Sequence, residues 1–293
     1  MVESDSDSLI LVSIIVPVFN LQENLGELLR ALAVQELSFG KYEIIVVDNN
    51  STDATFSIAK KCGVKVVSEL KKGSYAARNK GIREAVGGLL VFIDGDCLPQ
   101  AGWLEALVGT ALDDGADMVT SYIEFELANP PTIAELYDSL VNLQVEDLMS
   151  KRQVAVTASL LIKATVFDVV GFFDEKLQSG GDILFSQNAV SQGFSLVLNK
   201  DSVVFHPARK LNELLSKHRR TSVGKMQLSC RESISKSTRG TRTLHLLFPF
   251  HLVRKFRSRY PDLSKAVMLK VLLLHYWVLW ESYVARVKYL RKH

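Results

Sequence analysis

The chain has 293 residues, of which 47% are hydrophobic and 23% charged, and its formal net charge at pH 7 is +3. This composition is typical of a globular protein and excludes disordered and collagen-like chains. The three cysteines lie far apart in sequence, which excludes a disulfide framework and indicates a reducing compartment. The acidic, serine-rich first residues lack the pattern of a signal peptide, so we expect a cytoplasmic protein.

The small net charge conceals a strong asymmetry along the chain. Residues 1–206 hold 15 Lys+Arg and 28 Asp+Glu, whereas residues 207–293 hold 20 and 4. A segment as basic as the second usually contacts nucleic acid, a membrane surface or an acidic partner, although it can also pack on an acidic part of its own chain. We therefore expect a folded domain over residues 10–206 and a basic extension over residues 207–293.

Short apolar runs alternate with helical patterns in the first hundred residues. The patterns predict strands over 11–19, 42–47, 64–67 and 89–93, and helices over 23–35, 52–62 and 74–85. Because the runs are apolar on both faces and are separated by helices, they predict a doubly wound, mostly parallel α/β sheet. Ligands of such sheets bind beyond the carboxyl ends of the strands.

Polar side chains follow three of these strands. Asn20 follows the first, Asp48 the second, and Asp94-Gly95-Asp96 the fourth. Asp48 is placed to accept hydrogen bonds from a base or a ribose. Two carboxylates around a glycine can face Mn²⁺ or Mg²⁺, and although Asp-Gly is also a common turn, the position after an apolar strand favours a metal site. The absence of GxGxxG and GxxxxGK[ST] motifs excludes dinucleotide and P-loop sites.

The predicted helix over 74–85 opens after Gly73 and contains Arg78. The guanidinium group of Arg78 is expected to contact a pyrophosphate or to hold one of the carboxylates at the sheet edge. Both alternatives place this side chain at the same edge as Asp48 and the Asp-Gly-Asp turn.

Four segments together resemble the family-two glycosyltransferases of GT-A fold. They are VSIIVPVFN at 12–20, VVDNNSTD at 46–53, GSYAARN at 73–79 and DGD at 94–96. The segments occur in the family's order and spacing, and the resemblance covers roughly residues 10–206. It implies a nucleotide-diphosphate sugar donor, a divalent cation and inversion at the anomeric carbon.

The resemblance also implies roles for individual residues of these segments. Asp48 would hold the nucleobase, Asp94 would lie near the ribose or the metal, and Asp96 would bind the metal. Pro17, Phe19 and Asn20 belong to the first segment and are expected at the nucleotide-sugar site.

Inverting transfer also needs a base that deprotonates the acceptor hydroxyl. Asp182 matches the family's base position, and Gly181 replaces the Glu that usually precedes it. We expect Gly180 and Gly181 to let the acceptor approach closely, and we expect Asp182 to begin a helix over 183–192. Asp182 could also be the N-cap of that helix, and the two roles are compatible. Asn188 stands where relatives often have Arg.

Two residues close the predicted domain. His206 follows a strand and is either a metal or diphosphate contact or a structural histidine, with the two interpretations weighted equally. Arg209 is expected to reach the diphosphate, although it also begins the basic region.

The basic extension ends in a helical pattern. Apolar residues recur at 269, 272, 276, 279, 280, 283, 287 and 290. The densest apolar run, 266–280, contains Lys270 and His275 and is shorter than the ~20 residues of a spanning helix. Its Trp and Tyr residues favour a helix lying in the plane of an anionic membrane surface. The alternative is a helix that packs on the rest of the chain or on the partner in a homodimer.

The sequence thus predicts a metal-dependent, inverting glycosyltransferase of the hexosyltransferase type, peripheral on the inner face of a membrane. Its acceptor would be a glycan or a lipid-linked sugar in polysaccharide biosynthesis, and no motif for reading nucleic acid is present. A nucleotidyltransferase is one alternative, but it requires a glycine- and arginine-rich loop where this chain has NLQENL at 20–25. A noncatalytic sugar-binding or scaffold protein is the other, and the retention of Asp94, Asp96 and Asp182 argues against it.

Overall fold

The computed structural model describes residues 10–38, 40–231 and 249–292, and it divides the chain into two compact units. Unit 1 holds the chain up to Glu124, Val145–Lys176 and Gly181–His206. Unit 2 holds Phe125–Gln144, Leu177–Gly180 and the chain from Pro207 onward. The sequence places the boundary at 206/207, whereas unit 2 also contains two short segments from the preceding part of the chain.

Unit 1 is built on an eight-stranded sheet with the order β3-β2-β1-β4-β7-β6-β8-β5. The strands are β1 Ile10–Val18, β2 Gly40–Asp48, β3 Lys65–Ser68, β4 Leu89–Ile93, β5 Leu98–Pro99, β6 Met118–Glu126, β7 Ser159–Lys163 and β8 Leu196–Pro207. The ladders joining β1 to β2 and β4, and β2 to β3, are parallel. β7 pairs antiparallel with both β4 and β6, and β5 pairs antiparallel with β8. The α/β class is confirmed, but the sheet is mixed: its parallel part is the region where the sequence alternates strands with helices.

Seven helices of unit 1 connect these strands within the described ranges. They are α1 Leu25–Ala33, α2 Thr55–Lys61, α3 Ser74–Glu84, α4 Trp103–Asp113, α6 Val145–Arg152, α7 Ala164–Val170 and α8 Gly181–Ser191. The seven elements predicted in the first hundred residues all form, with ends within three residues of those predicted. The agreement has a physical origin, since α1 buries leucines at helical spacing and every residue of β4 is buried.

Unit 2 is helical. Its helices within the described residues are α5 Ile133–Val141, α9 Leu211–Arg231, α10 Phe250–Arg259 and α11 Lys265–Lys292. Side chains of all four helices share one hydrophobic core, which includes Tyr137, Leu214, Leu252, Val271 and Val278. The end of the basic extension is therefore part of a packed unit.

The two faces of α11 lie in different environments. The buried residues are Val271, Leu274, His275, Val278 and Ser282. The predicted stripe lies on the other side, where Leu269, Tyr276, Trp280, Tyr283 and Leu290 are exposed and Leu272, Leu279 and Val287 are half-buried. By length and composition α11 is able to cross a membrane, in contrast to the prediction from the run 266–280. Core helices of water-soluble proteins also meet this criterion, but they are mostly buried, whereas only 17% of the most apolar stretch of α11 is buried.

Candidate active site

Asp48 ends β2, and one of its carboxylate oxygens has no hydrogen-bond partner among the described residues. Its side chain is 6% exposed, and Oδ2 accepts the backbone N–H of Ser51 at 3.3 Å. Oδ1 is buried and accepts no hydrogen bond from the part of the chain that the structure describes. A buried acceptor without a donor costs free energy, about 1–3 kcal/mol, so this oxygen is suited to an N–H or O–H group of a ligand.

The loop after β3 is fixed by the neighbour of Asp48. The side chain of Asn49 accepts the N–H of Gly73 at 2.8 Å and donates to the carbonyl oxygens of Glu69 and Lys71 at 2.8 and 2.7 Å. Asn49 thereby joins the end of β2 to the start of α3, which carries Arg78. The sequence contains Asn49 within its second motif but gives no indication of this role.

The end of β1 lies against the loop that follows β2. Asn20 has a left-handed backbone with φ 51°, which Asn tolerates better than most residues. Its side-chain oxygen accepts the N–H of Thr52 at 2.8 Å, and its own N–H donates to Ser51 Oγ at 3.0 Å. Pro17 is half-buried in β1 and Phe19 is exposed just beyond it. Asn20 thus connects the ends of two parallel strands, and Phe19 is the accessible apolar surface beside it.

The Asp-Gly-Asp turn after β4 is tightly packed. A Cβ at Gly95 would lie 2.5 Å from the side chain of Leu21 and 3.2 Å from that of Val18, so a larger residue would require these side chains to shift. Asp94 Oδ1 accepts a hydrogen bond from Arg78 Nη2 at 2.5 Å. Arg78 is 5% exposed, and its buried Nε has no hydrogen-bond partner in the described ranges. Of the two roles predicted for Arg78, the structure shows the holding of a carboxylate.

Asp96 points toward a different set of groups. Its Oδ2 lies 3.7 Å from Nε2 of His206, a fully buried residue near the end of β8. The Cys97 thiol lies with them, and the ligand atoms of the three residues are all within 4.8 Å of one another. A carboxylate, an imidazole and a thiol form a donor set that suits a divalent transition metal. Asp94, predicted at the metal together with Asp96, is held by Arg78 and does not belong to this cluster.

Asp182 lies in the first turn of α8 and is held from two sides. Oδ1 accepts the hydroxyl of Tyr75 at 3.1 Å, and Oδ2 accepts the N–H of Thr157 at 3.3 Å. Burial and the charge of Asp182 raise the pKa of Tyr75 well above its ordinary value, so the phenol remains a donor. The only α8 N–H that the Asp182 side chain accepts, within the described residues, is that of its neighbour Ile183. Asp182 is therefore not the N-cap of this helix.

The packing of the Tyr75 ring explains why position 181 is a glycine. A Cβ at Gly181 would lie 2.9 Å from carbon atoms of the Tyr75 ring, and the Gly181 N–H donates to the Tyr75 hydroxyl at 2.8 Å. We expected this glycine to leave room for an acceptor. The tyrosine ring fills the space on the Cβ side of the glycine, and close approach of an acceptor remains a prediction.

These contacts form a continuous path between two of the predicted site residues. The guanidinium carbon of Arg78 lies 5.7 Å from the centre of the Tyr75 ring. Asp94, Arg78, Tyr75 and Asp182 therefore follow one another through an ion pair, a cation–π contact and a hydrogen bond. Tyr75 was not identified from the sequence, although its place one helical turn before Arg78 is the signal that could have shown it.

Arg209 and Asn188 have other surroundings. Arg209 belongs to unit 2, where its N–H and Nη1 reach Oδ2 of the buried Asp138 at 2.9 and 3.3 Å. Asn188 is exposed on α8. Contact of Arg209 with a diphosphate remains a prediction.

Comparison with known proteins gives concordant results. The model of the family "Glycosyl transferase family 2" matches residues 13–152. Glycosyltransferase AglE of Haloferax volcanii is 37% identical over 275 residues, which is 90% of each chain. The pre-mycofactocin glycosyltransferase of Mycobacterium tuberculosis is 27% identical over 210 residues, 68% of this chain and 43% of that protein.

Two solved structures show the same fold at low sequence identity. The mannosyltransferase PcManGT from Pyrobaculum calidifontis, in complex with GDP-Man and Mn²⁺, superposes with a TM-score of 0.64 at 19% identity, covering 95% of this chain and 86% of that one. TarS 1–349 of S. aureus, in complex with UDP-GlcNAc, gives 0.55 at 17% identity, covering 89% and 78%. The chain therefore belongs to glycosyl transferase family 2, and it is a glycosyltransferase with the GT-A fold.

Proposed function

We propose that this protein is an inverting glycosyltransferase that moves a sugar from a nucleotide-diphosphate donor to a hydroxyl group of a glycan or lipid-linked acceptor. The observation that supports this most is the path from Asp94 through Arg78 and Tyr75 to Asp182. It fixes one carboxylate relative to the turn that carries the metal-binding candidate, and fixed reacting groups lower the barrier of group transfer.

Asp48 supports the binding of a nucleotide. Its buried Oδ1 accepts no hydrogen bond from the described residues and is suited to the N–H group of a nucleobase. Asn20 and Asn49 hold the two loops on either side of it. PcManGT was solved with GDP-Man and TarS with UDP-GlcNAc, and we assign a donor of the same chemical class to this chain.

Asp96 and His206, with Cys97 beside them, are the residues that would hold a divalent ion. Such an ion, when bound, neutralises the negative charge of a diphosphate leaving group. The imidazole of His206 favours Mn²⁺ over Mg²⁺, because Mg²⁺ prefers oxygen ligands throughout. PcManGT was solved with Mn²⁺.

Asp182 would act as the catalytic base. The acceptor oxygen attacks the anomeric carbon from the side opposite the diphosphate, the bond to the diphosphate oxygen breaks, and Asp182 takes the hydroxyl proton. Because attack and departure occur on opposite faces, the anomeric configuration inverts. The hydrogen bonds from Tyr75 and Thr157 orient the carboxylate for this step.

We also infer that unit 2 contacts an anionic membrane surface on the cytoplasmic side. α11 exposes Trp277, Trp280, Tyr276 and Tyr283 on the face turned away from its core, and these residue types favour membrane interfaces. The 20 Lys and Arg against 4 Asp and Glu in residues 207–293 add electrostatic attraction.

Substitution of the two carboxylates tests the proposed reaction. Asp182→Asn keeps the shape of the side chain but cannot take the proton, so turnover should fall roughly 100-fold or more while donor affinity is largely kept. Asp96→Ala should abolish transfer and also weaken cation-dependent donor binding. Asp168→Asn, at an exposed position on α7, is the control and should change neither quantity.

Turnover and donor affinity should be measured separately for the three variants, by product formation and by calorimetry with the nucleotide sugar. Asp182 is not the base if its Asn variant keeps turnover with the pH dependence of the unsubstituted protein. A product with retained anomeric configuration would contradict inversion whatever the variants show.

A further inference from the structure

Unit 2 contains an apolar groove of about 630 Å³ between the start of α5, the start of α9 and the middle of α11. This volume lies within the roughly 300–1,000 Å³ of typical ligand sites. The lining is almost wholly apolar and comprises Thr132, Ile133, Ala134, Lys210, Leu211, Lys270, Leu273, Leu274 and Trp277. The predicted transfer chemistry uses none of these residues.

Two lysines give this apolar groove a positive charge. Lys210 and Lys270 both line it, and neither forms an ion pair with another described residue. Glu135 is close enough for the charge of Lys210 to act on it. Its carboxylate, however, already accepts hydrogen bonds from the backbone N–H groups of Thr132 and Ala128. The groove thus has an almost wholly apolar lining to which two lysine side chains belong.

The face of α11 that borders the groove carries further apolar surface. Leu273 and Trp277 line the groove and are also largely exposed, and Trp280 continues the same face one turn later. Exposed aromatic side chains beside lysines are the arrangement expected at the boundary between lipid headgroups and lipid chains. A water-soluble ligand with no apolar part would leave most of the groove without a partner.

We propose that this groove binds one hydrocarbon chain of a phosphate-bearing membrane lipid, with the phosphate held by Lys210 and Lys270. The complementarity is twofold: the apolar lining fits the chain, and the two ammonium groups fit the anionic headgroup. Each buried methylene group strengthens binding about fourfold, so affinity should increase with chain length until the groove is filled. The inference is independent of the proposed transfer reaction, because it uses different residues.

Calorimetry with soluble single-chain probes tests this site on the full-length protein. Dodecyl phosphate below its micellar concentration should bind in a 1:1 ratio. Decyl phosphate, two methylene groups shorter, should bind roughly 15-fold more weakly. Dodecyl maltoside, with the same chain and a neutral headgroup, should bind at least tenfold more weakly, and inorganic phosphate alone should not bind measurably.

Two pairs of matched variants locate the binding on the protein. Lys270→Glu should weaken dodecyl phosphate binding at least tenfold, whereas Lys265→Glu, exposed on the same helix outside the groove, should leave it unchanged. Leu273→Trp should fill the groove and block the probe, whereas Leu269→Trp, one turn earlier and equally exposed, should not. All four positions are exposed, so folding should be preserved. Calorimetry with the nucleotide sugar should give unchanged donor affinity in all four variants.

Three outcomes would overturn the inference. The first is that dodecyl phosphate shows no saturable binding, or that its affinity falls equally in the groove variants and in their controls. The second is binding that appears only after deletion of residues 232–248, which would make that segment the occupant of the groove. The third is a dimer, detected by sedimentation, that Leu273→Trp dissociates and the probe does not, which would make a second copy the occupant.

Discussion

Among single residues, Tyr75 connects more of the candidate site than any residue that the sequence identified. Its hydroxyl binds both Asp182 and the N–H of Gly181, and its ring lies against both Arg78 and the glycine. The position of the Tyr75 ring therefore requires a residue without a side chain at 181. A side chain at 181 would displace the ring and, with it, the hydrogen bond that orients Asp182.

Gly181→Ala is expected to destabilise the protein and to lower its turnover. The added Cβ would lie 2.9 Å from the Tyr75 ring, and overpacking of this kind costs roughly 1–3 kcal/mol. Gly26→Ala in α1 is the matched control, since a Cβ there meets its nearest neighbour, Arg30, at an ordinary 3.5 Å. That control should be neutral or stabilise by up to about 1 kcal/mol.

Thermal unfolding and turnover of both variants check this prediction. If Gly181→Ala is as stable and as active as the Gly26→Ala control, the ring of Tyr75 can move aside without disturbing Asp182. In that case the glycine would have no role in positioning the carboxylate.

The residues that sequence reasoning located and those it missed differ in a simple way. Asp48, Asp94 and Asp96 lie at or shortly after the ends of strands whose apolar pattern is unmistakable, so their position at the sheet edge is predictable. Tyr75 and Cys97 act through partners more than 100 residues away, Asp182 and His206. No local pattern encodes a contact of that kind, and only the fold brings the partners together.

At the scale of helices and strands, α11 shows what the spacing of apolar residues predicts and what it does not. Its apolar residues occupy nearly the whole circumference, so the pattern predicts a helix but not which face it buries. The stripe chosen from the sequence lies mainly on the exposed face. The packed face includes His275, whose Nδ1 lies 3.1 Å from the hydroxyl of the buried Tyr137, and a polar residue of this kind is easily assigned to the surface.

Two histidines on the helices of unit 2 should make the stability of this unit depend on pH. Burial lowers the pKa of His218 on α9 to about 4, assisted by the charge of Lys217 and opposed by Asp138, and burial also lowers the pKa of His275. An unfolded histidine titrates near 6.5, so between pH 6.5 and 4 the unfolded chain binds more protons than the folded one. The contribution of these histidines to the free energy of unfolding is therefore constant above pH 6.5 and falls below it, by up to about 3 kcal/mol for His218.

Urea unfolding at several pH values across this window measures the loss of stability. Hydrogen exchange in α5 and α9 over the same pH values shows whether the loss is in unit 2. His218→Gln should remove most of the dependence, whereas His251→Gln, exposed on α10, should remove only the small part that the charge of His251 adds through the pKa of His275. A loss of stability on acidification that is equal in the unsubstituted protein and in His218→Gln would assign the effect to other groups.

For the whole molecule, the division into two units changes how the basic extension should be tested. Ending the chain near residue 240 would remove α10 and α11 and uncover Leu136, Leu140 and Leu214 of the shared core. Loss of membrane binding in that truncated chain would not separate a membrane contact from a loss of folding. Substitution of exposed side chains avoids this difficulty.

Trp280→Ser combined with Tyr283→Ser should weaken binding to anionic vesicles without changing stability, because the two side chains are 63% and 55% exposed. Binding of the unsubstituted protein should weaken with salt, since each Lys or Arg near the surface contributes about 1 kcal/mol, and it should keep a salt-resistant part from apolar burial. The double variant should lose that salt-resistant part. Co-sedimentation with vesicles at low and high salt measures both parts.

The control for this experiment lies in unit 1. Leu70→Ser removes an apolar side chain that is 80% exposed. This variant should bind vesicles as the unsubstituted protein does. Equal losses in Leu70→Ser and the double variant would mean that the vesicles adsorb any exposed apolar residue. The exposed face of α11 would then have no special relation to a membrane.

Unit 2 is assembled from segments that lie far apart in the chain, and this affects how the protein folds during its synthesis. α5 belongs to residues 125–144, yet its apolar side chains Leu136, Tyr137 and Leu140 pack with helices that follow residue 210. During synthesis α5 leaves the ribosome more than a hundred residues before α11, and its apolar face has no native partner in that interval. Contacts of such long sequence separation form slowly and leave a nascent chain open to aggregation. Chaperone demand in a translating cell should therefore be highest while residues 145–264 emerge, and it should fall once α11 has been released.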